Sequence, residues 1–464
     1  MSGQKILLFL ISVYALLATV SMFFPAEGIT LGGTTLDFPA PADFKESLSP
    51  SHKPSASGPE ELLEQRMEAM KLSERERFVS YFRENPARLH FPDGDLTRFD
   101  PLFAALDSAG SKQMRILHYG DSQIEEDRIT GTLRAGLQER FGGGGPGILP
   151  FGNPYYTQSF SETSTASLRK TMVFDEGALR NDSRYGIMGQ CTRMDTSIFT
   201  TVSPYRNNMS PSRYFNRLTL LAGNIKGSVT LKCGNNSYSL APSDEASGVG
   251  RIVVELPDSS SRVRFSTWGN ADIYGIQLDG TEGVCVDNIP MRSCSGTVFT
   301  RISKAQLKEY FENDNVRLII LQYGGNAVPY RKTGKAISDY KTAIEKQIRH
   351  LRALAPEAAV LFIGPSDMST NVRGKMQTYP HLPMMVDSLK AAANNAGAAY
   401  WDMFAAMGGE GSMADWVNAR PQLAGSDYVH FTPRGAEAMG NMLFETLMLY
   451  YDWYRLRKHG EDGL

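Results

Sequence analysis

The chain has 464 residues, of which 42% are hydrophobic, 21% charged and 10% aromatic, an ordinary globular mixture too long for one compact core. A net charge of −2 provides no basic field, which excludes nucleic acid as an expected partner. The four cysteines, Cys191, Cys233, Cys285 and Cys294, form no Cys-x-x-Cys pair, so neither a zinc site nor dithiol chemistry is expected. In an exported protein they allow one or two disulfides, with four free thiols as the alternative.

At the N-terminus, Lys5 is followed by an uncharged apolar run from Ile6 to Phe24. At about 1.5 Å per residue the run nearly spans a ~30 Å hydrocarbon core. Residues 1–26 are therefore expected to be a signal anchor. A cleaved signal peptide is the second reading, although Ser21-Met22-Phe23-Phe24-Pro25-Ala26 offers no Ala-x-Ala cleavage site. Either reading exports the remainder, and the first fixes it to the inner membrane through residues 6–24, facing the periplasm or cell envelope.

Residues 27–60, rich in Pro, Ser, Gly and Ala, read as a flexible linker. A helix is expected over 60–85, with Leu62, Leu63, Met67, Met70 and Phe78 on one face, and a second over 96–106. The apolar strand Met114 to Tyr119 follows. From 154 to 284 the texture turns β-rich, with runs 217–221, 228–233, 251–256, 262–267 and 271–278 broken by Gly, Asn and Ser, the pattern of a small antiparallel sandwich. Strand–helix alternation then resumes with strand 316–323, helix 336–354, strand 359–364, helix 384–396, strand 399–403 and a closing helix 433–457. Such alternation predicts an α/β parallel sheet with helices on both faces, its first part at 61–153 and its second at 285–464, the sandwich being inserted between them.

Three short motifs fall at the ends of these strands. Gly120-Asp121-Ser122-Gln123 follows the first, where ligands gather in α/β sheets and where a helix N-terminus would favour developing negative charge. Ser122 reads either as a nucleophile or as the cap of the next helix. Asp427-Tyr428-Val429-His430 precedes Thr432-Pro433, an N-cap and first-turn proline that place His430 just outside the last helix. One short loop can thus present a carboxylate behind an imidazole, the arrangement of a general base with a fixed tautomer. Gly324-Gly325-Asn326 ends the strand at 316–323, and an asparagine amide there can donate to an oxyanion. Asp367 and Asp402 also follow strand ends, Trp401 and Trp416 are candidates for stacking on a sugar, and the glycines from Gly142 to Gly147 suggest a mobile loop beside the site.

Taken together, Gly120-Asp121-Ser122, Gly324-Gly325-Asn326 and Asp427-x-x-His430 resemble blocks I, III and V of the SGNH (GDSL-like) hydrolases. The layout is similar to bacterial peptidoglycan O-acetylesterases, which carry a carbohydrate-binding-module-like insert. The resemblance implies a flavodoxin-like α/β fold and no cofactor or metal. It implies Ser122 as nucleophile, His430 as base and acid, Asp427 as the orienting carboxylate, and an oxyanion hole built from Ser122, a block II backbone N–H and Asn326. Block II departs from the family pattern: its glycine falls at Ser293 or at Gly296, and Gly325 is a further candidate donor. Gln123 stands where related esterases have histidine and is assigned to substrate binding. The implied function is removal of O-acetyl groups from a cell-envelope glycan, peptidoglycan first. Acetyl transfer, another acetylated polysaccharide, and a glycan-binding protein with a decayed site are the alternatives.

Overall fold

In this computed structural model the described residues are 19–20, 29–31, 34–36 and 75–461, without 153–156, 167, 178, 205–210 and 258–259. The chain divides into two compact units, 1–74 and 75–464. The apolar run 6–24 lies outside the described residues except for Thr19 and Val20, which are helical. Among the described residues no helix is long and apolar enough to cross a membrane. Within the expected linker, Ile29–Leu31 pairs antiparallel with Thr34–Leu36. The signal for this pairing was Gly32-Gly33 between two Thr-containing runs, a two-residue hairpin pattern.

The second unit is built on a six-stranded sheet. Its strands are β1 (Leu89–His90), β2 (Met114–Gly120), β3 (Val284–Pro290), β4 (Val316–Gln322), β5 (Ala359–Ile363) and β6 (Ala399–Trp401). The order is β3-β2-β4-β5-β6-β1. The first five are parallel, in the flavodoxin-like 2-1-3-4-5 order; four lie at the predicted positions, and β3 is a strand not assigned from the sequence. The two-residue β1 runs antiparallel at the edge, so the sheet is mixed rather than wholly parallel.

Side-chain alternation along each strand feeds two separate cores. Leu117, Tyr119, Ile289, Ile319, Leu321 and Phe362 join helices α2 (Gly334–Leu354) and α3 (Leu382–Asn395) on one side. Ile116, Val286, Leu318, Ile320, Leu361 and Trp401 join helices α1 (Arg128–Phe141) and α4 (Pro433–Glu461) on the other. Helix 75–84 packs Phe78 on Trp453 of α4, with ring centroids 5.6 Å apart.

Between α1 and β3 the chain forms a second, antiparallel sheet. Among the described residues its nine strands run from Gly147–Leu149 to Val263–Asp279, and hydrogen bonding joins them in one network. Two 17-residue strands, Arg217–Cys233 and Val263–Asp279, hold it together. Register shifts at Leu221/Ala222, Gly223/Lys226 and Lys226/Val229 bend them, as bulges do. The sheet has its own buried cluster, yet Ile148, Ile187 and Tyr274 belong to the core under α2 and α3. The glycine loop is closely packed. A Cβ at Gly145 would lie 1.9 Å from Leu278 O, so the loop can press its backbone on the antiparallel strand only as glycine. All four cysteines are free thiols.

Candidate active site

The order reverses between β2 and β4, and side chains from the ends of these two strands meet there, as at a topological switch point. Ser122 follows β2 directly. It does not cap a helix, because α1 begins only at Arg128. Glu126 and Asp127 adopt positive φ (63° and 64°), which breaks the chain between strand and helix. Arg134 clamps the Asp127 carboxylate with bonds of 2.6 and 3.0 Å. The helix dipole therefore acts a full turn away and contributes little at Ser122.

Ser122 Oγ and His430 Nε2 are 2.8 Å apart. His430 Nδ1 and Asp427 Oδ2 are 2.7 Å apart. The backbone N–H groups of Val429 and His430 both donate to Asp427 Oδ1 at 3.0 Å, forming a turn in which Tyr428 takes a φ of 58°. Burial acts to raise the Asp427 pKa, but bonds from the His430 ring and backbone and from Val429 hold the carboxyl below its ordinary value. Gly425 N–H donates to His430 O at 2.7 Å and closes the loop. Gly435 N–H donates to Thr432 Oγ1 at 3.2 Å, the cap expected at the start of α4.

Asn326 follows Gly324, whose φ of 132° and a Cβ position 2.8 Å from Pro365 Cδ require glycine. The Asn326 amide donates to Asp121 Oδ2 at 3.0 Å and to Cys294 O at 3.2 Å. Both of its protons are engaged, so donation to an oxyanion means exchanging one of these bonds. Met291 N–H donates to Gly120 O at 2.7 Å and pins the block II segment beside the nucleophile strand. Among the described residues, the Ser122 and Ser293 N–H groups have no acceptor. Ser293 adopts a φ of 62° and lines the site. Gly296 instead donates its N–H to Cys294 Sγ at 3.3 Å and packs on Tyr323, which takes it off the pocket wall. Gly325 lines the pocket.

Gln123 donates from Nε2 to Val429 O at 2.7 Å and so ties the histidine loop to the strand end. Its Oε1 is buried without a partner on the pocket wall. The pocket has a volume of about 270 Å³. Met368, Tyr379, Arg292 and the 82% exposed Tyr330 complete its wall and rim, and no sequence motif marks any of them. Asp367, Asp402, Trp401 and Trp416 stay outside it. Asp367 accepts from Thr378 Oγ1 and Met413 N–H, and Asp402 caps the helix Met403–Met407. Trp401 is core and donates to Ala87 O, while Trp416 packs on Phe431. His118 is buried between Gln322 and Thr130. Burial pushes the neighbouring Cys294 thiol up to about 11, which removes it as a competing nucleophile at neutral pH.

Asp121 is the residue that motif reading undervalued. Burial pushes its carboxyl up to about 6, against bonds from the Gln123 N–H and the Asn326 amide. From the ordinary 3.8 to about 6, the folded protein holds a proton that the unfolded chain has lost. Stability tied to Asp121 is thus complete below pH 3.8 and is lost as pH rises through 6. The expected result is that Asp121→Asn gains stability relative to the unsubstituted protein as pH rises from about 4 to about 6, then levels off. Urea unfolding across that range checks it; a difference independent of pH would contradict it.

Residues 266–438 match the family model described as GDSL-like Lipase/Acylhydrolase family. The chain carries a GDSL-like acylhydrolase domain. The domain's class of chemistry is carboxylic ester hydrolysis. Ser122 precedes the matched segment and reaches the domain through the pairing of β2 with β3 and β4. No curated protein matches the sequence. Among solved structures, a peptidoglycan O-acetylesterase is 22% identical with a TM-score of 0.63, covering 76% of this chain and 96% of its own. A family two carbohydrate esterase from Clostridium thermocellum in complex with cellohexaose is 9% identical with a TM-score of 0.25, covering 57% and 95%. An acetyl xylan esterase is 14% identical with a TM-score of 0.25, covering 35% and 80%.

Proposed function

We propose that this acylhydrolase is a serine esterase that removes O-acetyl groups from a cell-envelope glycan, peptidoglycan first. The observation that carries the reading is the unbroken relay Ser122–His430–Asp427 on the wall of an open pocket. His430 Nε2 takes the Ser122 proton as Oγ adds to the acetyl carbonyl. The Ser122 and Ser293 N–H groups, with an Asn326 proton released from Asp121 or Cys294, receive the oxyanion. On collapse the ester C–O bond breaks and His430 returns the proton to the departing sugar oxygen. Water then adds to the acetyl-Ser122 carbonyl and gives its proton to His430; on collapse the Oγ–acyl bond breaks, His430 returns that proton to Ser122 Oγ, and acetate leaves. Asp427 fixes the tautomer throughout.

The substrate rests on the peptidoglycan O-acetylesterase likeness and on the apolar run 6–24, which supports an exported, membrane-anchored protein. Acetate release from O-acetylated peptidoglycan, compared with acetylated xylan, tests it. The reading expects the former to be turned over at least about tenfold faster by kcat/KM, a difference of ~1.4 kcal/mol in transition-state binding. Equal rates, or a preference for xylan, would point to another polysaccharide. Acetyl appearing on an acceptor glycan in place of acetate would point to transfer.

A further inference from the structure

Arg292 and Ser293 line a second cavity as well as the catalytic pocket. This cavity has a volume of about 340 Å³ and lies between the two sheets. One wall comes from the antiparallel sheet. Lys170 and Met172 alternate onto the same face of strand Arg169–Met172, and Gln190 stands opposite Met172 on the next strand. The other wall is Glu125 with Pro290, at the carboxyl end of β3.

Lys170 is half-buried, and among the described residues its ammonium makes no hydrogen bond or ion pair. Burial lowers its pKa, and the acid that acts on it, Glu162, is itself pushed up to about 7 by burial. Glu162 also accepts from Gly152 N–H at 3.2 Å, so it serves as a weak counter-ion. Arg292 is largely exposed and lies 3.6 Å from Glu125. Two cations, Lys170 and Arg292, thus face the single carboxylate of Glu125 in a cavity with apolar sides at Met172, Phe174 and Pro290. An unpaired, partly desolvated cation is costly until an anion reaches it, and apolar flanks suit the faces of a sugar ring.

We propose that this cavity is a subsite for a carboxylate-bearing part of the acylated glycan, held by Lys170 and Arg292 while the ester lies at Ser122. The proposal rests on the esterase reading and names the charge of its substrate. Because 4-nitrophenyl acetate is too small to enter both cavities, it separates the two claims.

The test uses the full chain and its Lys170→Met and Lys170→Arg variants. Substrates are 4-nitrophenyl acetate and acetylated glycan fragments with the carboxylate free or amidated. Lys170→Met is expected to raise KM for the free-carboxylate fragment about 10-fold or more, the size of one lost charge-assisted bond. It should leave kcat, the amidated fragment and 4-nitrophenyl acetate unchanged, and Lys170→Arg should restore most of the KM. Equal effects on free and amidated fragments, or none on either, would overturn the subsite. If the unsubstituted protein hydrolyses no ester, the esterase reading fails instead. Calorimetric binding of the free-carboxylate fragment to the protein and to Lys170→Met then decides the cavity: tenfold weaker binding by the variant supports it, and equal binding removes it.

Discussion

Ser122→Ala is expected to lower kcat/KM on 4-nitrophenyl acetate by about 10,000-fold or more while leaving the fold intact. The two parts have different causes. Ser122 makes one side-chain hydrogen bond, to His430, and its strand is held by buried neighbours along its whole length. Losing that bond costs about 1 kcal/mol of stability, a small shift in an unfolding curve. Losing the nucleophile removes the covalent step entirely, and the oxyanion donors alone cannot replace it. Because Ser122 and His430 act as a unit, Ser122→Ala/His430→Ala is expected to be little worse than either single variant. Steady-state rates with far-ultraviolet circular dichroism check both halves. Additive losses would mean that the two side chains work separately.

The largest stability effect is expected at Arg115, far from the chemistry. Its side chain is 1% exposed, pairs with Asp287 at 2.7 Å and with Asp279, and lies 3.7 Å from Asp314. Asp287 also accepts from Ile148 N–H and from Tyr310 Oη, and Arg251 pairs with Asp314. One guanidinium on β2 therefore joins β3 to the last strand of the antiparallel sheet. Arg115→Met leaves buried carboxylates without their cation, which costs about 3–5 kcal/mol. The measurement is the urea midpoint at constant m-value, read alongside Arg115→Met/Asp279→Asn. Partial recovery in the double variant is expected, since it removes one stranded charge. A loss below about 1 kcal/mol for Arg115→Met would show that water or neighbouring groups already compensate the carboxylates.

Much of this was legible in the chain because the local signals were strong. Four of the five parallel strands are short, largely apolar runs, whereas β3 carries Asp287 and Asn288 and does not stand out; Asp427 and His430 are close enough in sequence for one turn to aim both. Elsewhere a local signal meant something else. Runs 217–221 and 228–233 read as two strands but are halves of one, as are 262–267 and 271–278. Gly227 and Gly269, at φ of 81° and 133°, mark bends within long strands, and a bend and a turn look alike in sequence. Edge strand β1 has two residues, too few for any period. The choice between Ser293 and Gly296 depended on backbone direction, which residue type does not encode. Gln123 was legible as part of the site, but its bond to Val429 O was not, because the partner lies 306 residues away.

The central claim is that Ser122 carries the acyl group. Rapid acid quenching of the protein during turnover of 4-nitrophenyl acetate, followed by peptide mass analysis, tests it directly. The account predicts one acetyl group on the peptide containing Ser122 and none in Ser122→Ala, which turns over no faster than about one part in 10,000. Full turnover with that peptide unmodified, or undiminished turnover by folded Ser122→Ala, would contradict it.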